Sequence, residues 1–209
     1  GQGGMGAVYL AERESDKQRV AIKLMLSKVA IDPTARDVFL REVLVLRELR
    51  HPNIVRFIDV GAAESMFYFV MEFCEGGSIS NVLARQSGSL TVPKIGKLML
   101  HALKGLAFAH ERKFVHRDLK PDNILVRKSQ GRWFAQISDF GLAKDFQKAG
   151  FSGMTATGRF GGTYHFMPRE QLTNFKYVQP ASDIWSIGAT FYYLLAGVSP
   201  RDFEEDRDP

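Results

Sequence analysis

The stretch His116-Arg117-Asp118-Leu119-Lys120-Pro121-Asp122-Asn123 constrains this chain more than any other. Phe114-Val115 precede it and Ile124-Leu125-Val126 follow it, so it reads as a polar loop between two short buried strands. Four charged side chains and an Asn beside a core are costly unless something uses them. The carboxylate of Asp118, the ammonium of Lys120 and the amide of Asn123 can face one small space. Together they supply a base, a cation for a phosphate and an oxygen ligand for a hard metal. The plainer reading is a solvated turn capped by Asp118 and Asn123. Three companion motifs weigh against it.

The chain opens on Gly1-Gln2-Gly3-Gly4-Met5-Gly6, followed by Ala7-Val8-Tyr9-Leu10. Glycines at 1, 3 and 6 let backbone amides approach phosphates closely, since no Cβ intervenes. A dinucleotide-binding version needs a helix after the glycines, whereas Val8-Tyr9-Leu10 predicts a strand. Val20 to Met25 alternates, with Val20, Ile22 and Leu24 on one side and Ala21, Lys23 and Met25 on the other. Lys23 is thus a cation inside an apolar strand and needs an anion. The next segment, 35–50, predicts a helix with Phe39, Val43, Leu46 and Leu49 on one stripe. Glu42 falls on that stripe. A core-facing carboxylate and a strand lysine are each odd alone and reasonable as a pair. Strands are also expected over Ile54–Phe57 and Met66–Met71. An amphipathic helix is expected over 94–110, with Ile95, Leu98, Ala102, Leu103 and Leu106 inward. His101 and His110 lie on it without a third ligand at metal spacing and read as plain surface or helix-end histidines. Finally, Trp133–Ile137 predicts a strand that delivers Asp139-Phe140-Gly141, sixteen residues after Asn123.

In this order the motifs resemble the eukaryotic-type (Hanks-type) serine/threonine protein kinase catalytic domain, from Gly1 to about Pro200. The resemblance implies an α+β, two-lobed fold: a small β-rich N-lobe with one regulatory helix (1–73) and a mainly helical C-lobe (74–209). It implies ATP and Mg²⁺ as cofactors and transfer of the γ-phosphoryl group to Ser/Thr hydroxyls of protein substrates. Asp118 then takes or orients the hydroxyl proton, and Lys120 steadies the phosphoryl group. Asn123 and Asp139 hold metal. Gly1, Gly3, Gly6, Val8, Ala21, Lys23, Glu42, Met71, Glu72, Cys74 and Leu125 surround the nucleotide, with Lys23 on the α- and β-phosphates and Met71 as gatekeeper. Phe140 is expected to pack over His116. Asp183 is expected to brace the catalytic loop backbone. Residues 142–160 form a long polar segment of the kind that carries function; Arg117 beside Asp118 suits a phosphate placed on Thr155 or Thr157, with Thr163 nearer the substrate. Trans-autophosphorylation would involve transient self-association. One departure is Pro168-Arg169-Glu170, where the family usually has Ala-Pro-Glu. The resemblance also implies a catalytic domain truncated at both ends.

Composition limits the alternatives. The net charge of +5 comes from basic residues scattered through the chain with no Lys/Arg run, so no nucleic-acid partner is expected. A single cysteine, Cys74, excludes an internal disulfide and fits a reducing compartment. The uncharged run Ile184–Pro200 carries Ser, Thr, Gly and Tyr and reads as a buried helix, not a membrane span. The expectation is therefore a cytoplasmic segment without membrane contact, compatible with a larger membrane-anchored protein. Two rivals are a pseudokinase scaffold or binding module and a small-molecule kinase. The first predicts the loss of Lys23, Asp118, Asn123 or Asp139, and all four are present. The second does not account for the segment ending in Thr163 and Glu170.

Overall fold

The alternating residues of the first seventy positions pair into one antiparallel sheet in the computed structural model, which describes residues 2–3, 6–26, 33–63, 66–86, 90–140, 164–173 and 178–201. Strands β1 (Gln2–Gly3), β2 (Gly6–Glu12), β3 (Arg19–Leu26), β4 (Phe57–Ala63) and β5 (Met66–Glu72) lie in the order β1-β2-β3-β5-β4. Gly3 pairs with Gly6, so the glycine motif turns a hairpin and feeds a strand, as its flanking residues predict. Directly opposed residues share a face in such a sheet. The pairs Val8–Lys23, Lys23–Phe69, Ala21–Met71 and Met25–Phe67 therefore put these side chains on one face. Helix α1 (Pro33–Leu44), continued by a 3₁₀ turn over Val45–Glu48, packs by the predicted stripe: Phe39, Val43, Leu46 and Leu49 are all buried. The Phe39 ring lies 4.4 Å from Phe67 and 6.4 Å from Phe69, centroid to centroid. These elements form one compact unit, drawn from residues 1–50 and 55–73.

The expected strand over Ile54–Phe57 is corrected. Pairing in β4 starts at Phe57, and Ile54 makes only an isolated bridge to Ile137. The reason is the turn at His51–Asn53, where the Ile54 N–H closes back on the His51 carbonyl. The segment 51–54 packs within the second unit, which also takes in 74–141 and 160–209.

That second unit is built around α3 (Val92–Glu111), which buries Ile95, Leu98, Met99, Ala102, Gly105, Leu106 and Ala109. Leu103, expected inward, is 41% exposed; the buried stripe runs through Met99 and Gly105 instead. Gly105 is required there: a Cβ would sit 2.5 Å from the Asn53 carbonyl oxygen. Asn53 in turn donates its side-chain amide to the Ala135 carbonyl (3.0 Å), joining 51–54 to the hairpin β6 (Ile124–Ser129)/β7 (Arg132–Ile137). A short α2 (Ile79–Arg85), absent from the sequence reading, begins at a reciprocal cap between Ser78 and Asn81. Two further helices are α4 (Arg169–Thr173) and α5 (Pro180–Ala196). The apolar run is buried on one side of α5 only: Ile187, Ala189 and Leu194 are buried, while Ile184 and Leu195 are 53% and 46% exposed. Among the described residues no helix is long and apolar enough to cross a membrane. Sheet and helices thus give the α+β content of the expected fold, each lobe-like part on its own core.

Candidate active site

The octet does not lie between two strands. Phe114 and Val115 follow directly from the end of α3 as irregular chain, and only β6, after Asn123, is a strand. What gives the loop its shape is a short 3₁₀ turn over Pro121–Asn123, which returns Asn123 towards Asp118. The Asn123 amide nitrogen donates to both the main-chain carbonyl (2.6 Å) and the carboxylate (3.0 Å) of Asp118. That leaves its amide oxygen as the atom available to a cation. The Lys120 ammonium stands 3.0 Å from the Asp118 carboxylate, with both side chains largely shielded from water. Three of the predicted residues are therefore brought together at one point.

Asp139 is tied to the same point through its neighbour. Ser138 donates its N–H (2.9 Å) and its hydroxyl (3.2 Å) to the Asn123 carbonyl. Its own carbonyl accepts from His116 Nε2 at 2.7 Å. Because His116 Nδ1 accepts from the Asp118 N–H (3.2 Å), the proton of this fully buried imidazole belongs on Nε2. The ring of Phe140 packs edge-on to His116 with centroids 4.7 Å apart, as expected.

Two residues here have left-handed backbones, Arg117 (φ 70°) and Asp139 (φ 60°). Each conformation costs about 1–2 kcal/mol for a residue with a Cβ, so neighbouring structure must hold it. For Arg117 the holder is Asp183 on α5, 1% exposed. Its carboxylate accepts the N–H of His116 (2.7 Å), the N–H of Arg117 (2.9 Å) and Nε2 of His110 (2.8 Å). The expected bracing role of Asp183 is what the structure shows. His110, read from sequence as a plain helix-end histidine, is corrected: it is a third donor to that carboxylate. The spacing of His110 from the octet held no signal of this, because its partner lies far along the chain. His101 has a structural contact of its own, stacking on Phe134 with centroids 5.4 Å apart.

Family membership is decided by comparison with known proteins. A model of the protein kinase domain matches residues 1–208. This chain belongs to the protein kinase domain family. It is 35% identical over 202 residues to the serine/threonine-protein kinase pkn2 of Myxococcus xanthus, covering 97% of the chain and 24% of that protein. It is 37% identical over 200 residues to the cell division control protein 2 homolog 3 of Trypanosoma brucei brucei, covering 94% and 60%. A CBL-interacting protein kinase 17 of Oryza sativa subsp. japonica is 34% identical over 202 residues, covering 97% and 43%. The chain thus spans between about a quarter and three fifths of the length of these relatives.

In this kinase domain, the sheet of the first unit carries Val8, Ala21, Lys23 and Met71 on one face, with Glu72 next in line on β5. Lys23 is half-buried there. Glu42 lies on α1, but its side chain lies outside the described residues, as do Gly1, Thr155, Thr157 and Thr163; Gly3 and Gly6 are described by backbone only. In the second unit Leu125 pairs with Gln136 across the hairpin, and Gln136 accepts from the buried thiol of Cys74 (3.4 Å). Cys74 is thus a packed residue. Close approach of the adjacent chain to β6 needs glycine, since a Cβ at Gly76 would meet the Val126 carbonyl oxygen at 2.3 Å.

The departure at Pro168-Arg169-Glu170 has its own anchors. Phe166, buried, meets Tyr193 of α5 edge-on at 5.6 Å. The Met167 carbonyl, just before the displaced proline, accepts from Arg201 Nη1 at 3.2 Å, and the Arg201 guanidinium lies 4.3 Å over the ring of Trp185. Glu170 accepts from the Ser182 hydroxyl at 2.7 Å. Gln171 donates its side-chain amide to the Arg117 carbonyl. None of these anchors was read from the sequence.

Proposed function

We propose that this domain transfers the γ-phosphoryl group of ATP to Ser/Thr hydroxyls of protein substrates. The observation that carries the reading is the convergence of Asp118, Lys120 and Asn123 on one shielded point. Asp118 accepts or orients the proton of the attacking hydroxyl. Lys120, held at the Asp118 carboxylate, offers its charge to the phosphoryl group in transfer. Lys23 steadies the α- and β-phosphates, with Glu42 as its partner. Val8, Ala21, Met71, Glu72, Cys74 and Leu125 are the positions assigned to nucleotide binding, and the glycines at 1, 3 and 6 supply backbone donors to the phosphates.

The residues also fit Mg²⁺. The Asn123 amide orientation frees an oxygen for a hard cation, and Asp139 follows the Ser138 bridge that fixes it to Asn123. Asn123 and Asp139 would hold such an ion, which when bound would supply positive charge against the phosphates. The chain's own contribution is positioning: a rigid loop with its base and ligands aligned before substrate arrives. The division into a nucleotide-binding part, 1–73, and a catalytic part, 74–209, follows from these roles.

Control by phosphorylation belongs to the same reading. A phosphate on Thr155 or Thr157 brings about −1.5 to −2 charges suited to bidentate pairing with Arg117, and Thr163 stands nearer the peptide. The placement of Arg117 directly before Asp118 supports this. Trans-autophosphorylation between two transiently associated copies is one source of that phosphate.

The deciding experiment is γ-phosphoryl transfer by the complete protein, comparing protein and small-molecule acceptors. Asp118→Asn is expected to lower kcat by about 10²–10⁴-fold with nucleotide affinity retained. Wild-type turnover in that variant, or transfer only to small-molecule acceptors, would overturn the assignment.

A further inference from the structure

We propose that Gln171 is a positioning residue for Asp118, acting through the peptide bond that joins it to Arg117. The inference deepens the phosphoryl-transfer reading and rests on it. The Arg117–Asp118 peptide group is fixed at both polar ends: its oxygen accepts from Gln171 Nε2, and its N–H donates to His116 Nδ1 at 3.2 Å. The preceding peptide is fixed by Asp183, which accepts the Arg117 N–H at 2.9 Å. Between these two held planes Arg117 sits at φ 70°, a conformation its Cβ disfavours. The orientation of the second plane sets the direction in which the Asp118 side chain leaves the backbone. Gln171 donates its side-chain amide directly to that oxygen.

The donor is itself held. Gln171 is 6% exposed, and its N–H closes on the Pro168 carbonyl at 3.0 Å. Its neighbour Glu170 is bonded to Ser182 at 2.7 Å, and Met167 to Arg201 at 3.2 Å. Both partners act from α5 or just beyond it. A side chain needed only for packing at a buried position would be apolar; a buried amide is retained where its hydrogen bond is required. Gln171 therefore passes the seating of α4 on α5 to the backbone beside the base. When α4 is displaced, the Arg117 carbonyl loses this donor, and the left-handed backbone keeps the Asp183 hold on its N–H but loses the hold on its carbonyl.

The test uses the complete protein with Gln171→Met, which keeps length and volume and removes the donor. Three results are expected: kcat lower by about tenfold, which is about 1.4 kcal/mol; KM for ATP and for peptide within about twofold of wild type; and faster hydrogen exchange at the amides of 117–119. In an Arg117→Gly background the same change should lower kcat by less than about twofold, because glycine takes this backbone without strain and needs no holder. Arg117→Gly itself lowers the starting rate, so the comparison is between the two ratios. Unchanged kcat, an equal loss in both backgrounds, or unchanged exchange at 117–119 would overturn the proposal. An inactive wild type would sink the phosphoryl-transfer reading alone; the exchange rates still decide whether Gln171 holds the loop.

Discussion

Replacing Asp183 by Asn is the sharpest test of what keeps the candidate catalytic loop in shape. The carboxylate is 1% exposed and accepts three hydrogen bonds, from His110 Nε2 and the N–H groups of His116 and Arg117. An amide of the same shape has one acceptor atom. If its oxygen stays with His110 and His116, its NH₂ faces the Arg117 N–H, and that donor is left unsatisfied at about 1–3 kcal/mol. The two bonds that remain lose their charge assistance, roughly halving each. Easier burial of a neutral group offsets part of this. The net loss is then about 2–4 kcal/mol, or a melting point lower by about 5–15 °C for a domain of this size. The unsatisfied donor sits at Arg117, whose backbone is already strained at φ 70°. About 2 kcal/mol of the loss should therefore fall on the loop and cut its competent fraction about thirtyfold. Paired measurements on the complete protein, kcat at saturating ATP and thermal unfolding, check both parts. Asp183→Asn that melts within 2 °C of wild type (roughly 0.5–1 kcal/mol,) and turns over within twofold would show that the carboxylate does not hold this backbone.

Two further outcomes follow from packing and burial. Gly105→Ala should destabilise the domain by about 1–3 kcal/mol, because its Cβ would meet the Asn53 backbone oxygen at 2.5 Å. Gly96→Ala on the same helix, where nothing lies within 4 Å, should instead stabilise it by about 0.5–1 kcal/mol; denaturant titration of both distinguishes a steric from a propensity effect. Burial holds the imidazoles of His51 and His101 below the usual histidine range, with nearby cations adding to it: Arg112 and Lys104 for His51, Lys104 for His101. Since their folded-state values are depressed, the stability they contribute is present above the ordinary value of about 6.5 and is lost as pH falls through and below it. The unfolding midpoint should therefore drop between pH 7.5 and 5.5, and His101→Gln should shrink that drop; an identical drop in the variant would contradict the burial argument.

The parts legible in the sequence are those written in local chemistry and local period. The two-residue alternation of β3 and the helical stripe of Phe39, Val43, Leu46 and Leu49 fold as read. In the helical stripe, the pattern that selects the element also selects its buried face; in β3, Val20 and Met25 are buried on opposite faces. The octet His116–Asn123 was legible because unusual charged residues crowd next to apolar ones. It shows which atoms meet, since Asp118, Lys120 and Asn123 are close enough in sequence for one turn to gather them.

Tertiary structure decided what the gathered atoms hang from. The donors and acceptors that shape the loop are largely backbone groups, at His116, Arg117 and Ser138, which have no signature in side-chain pattern. Their partners lie far off: Asp183 is 66 residues from Arg117, and Gln171 is 54. For the same reason His110 looked like a surface residue and Leu103 like a core one. Periodicity gives the angle of a side chain around its helix, but only the packed neighbours decide which angles are covered. The turn at His51–Asn53 likewise took Ile54 out of the strand its β-branched neighbours favour, because a hydrogen bond from Asn53 to Ala135 fixes that segment against a hairpin eighty-two residues on. Local propensity proposes an element; contacts across the chain settle where it starts and what it holds.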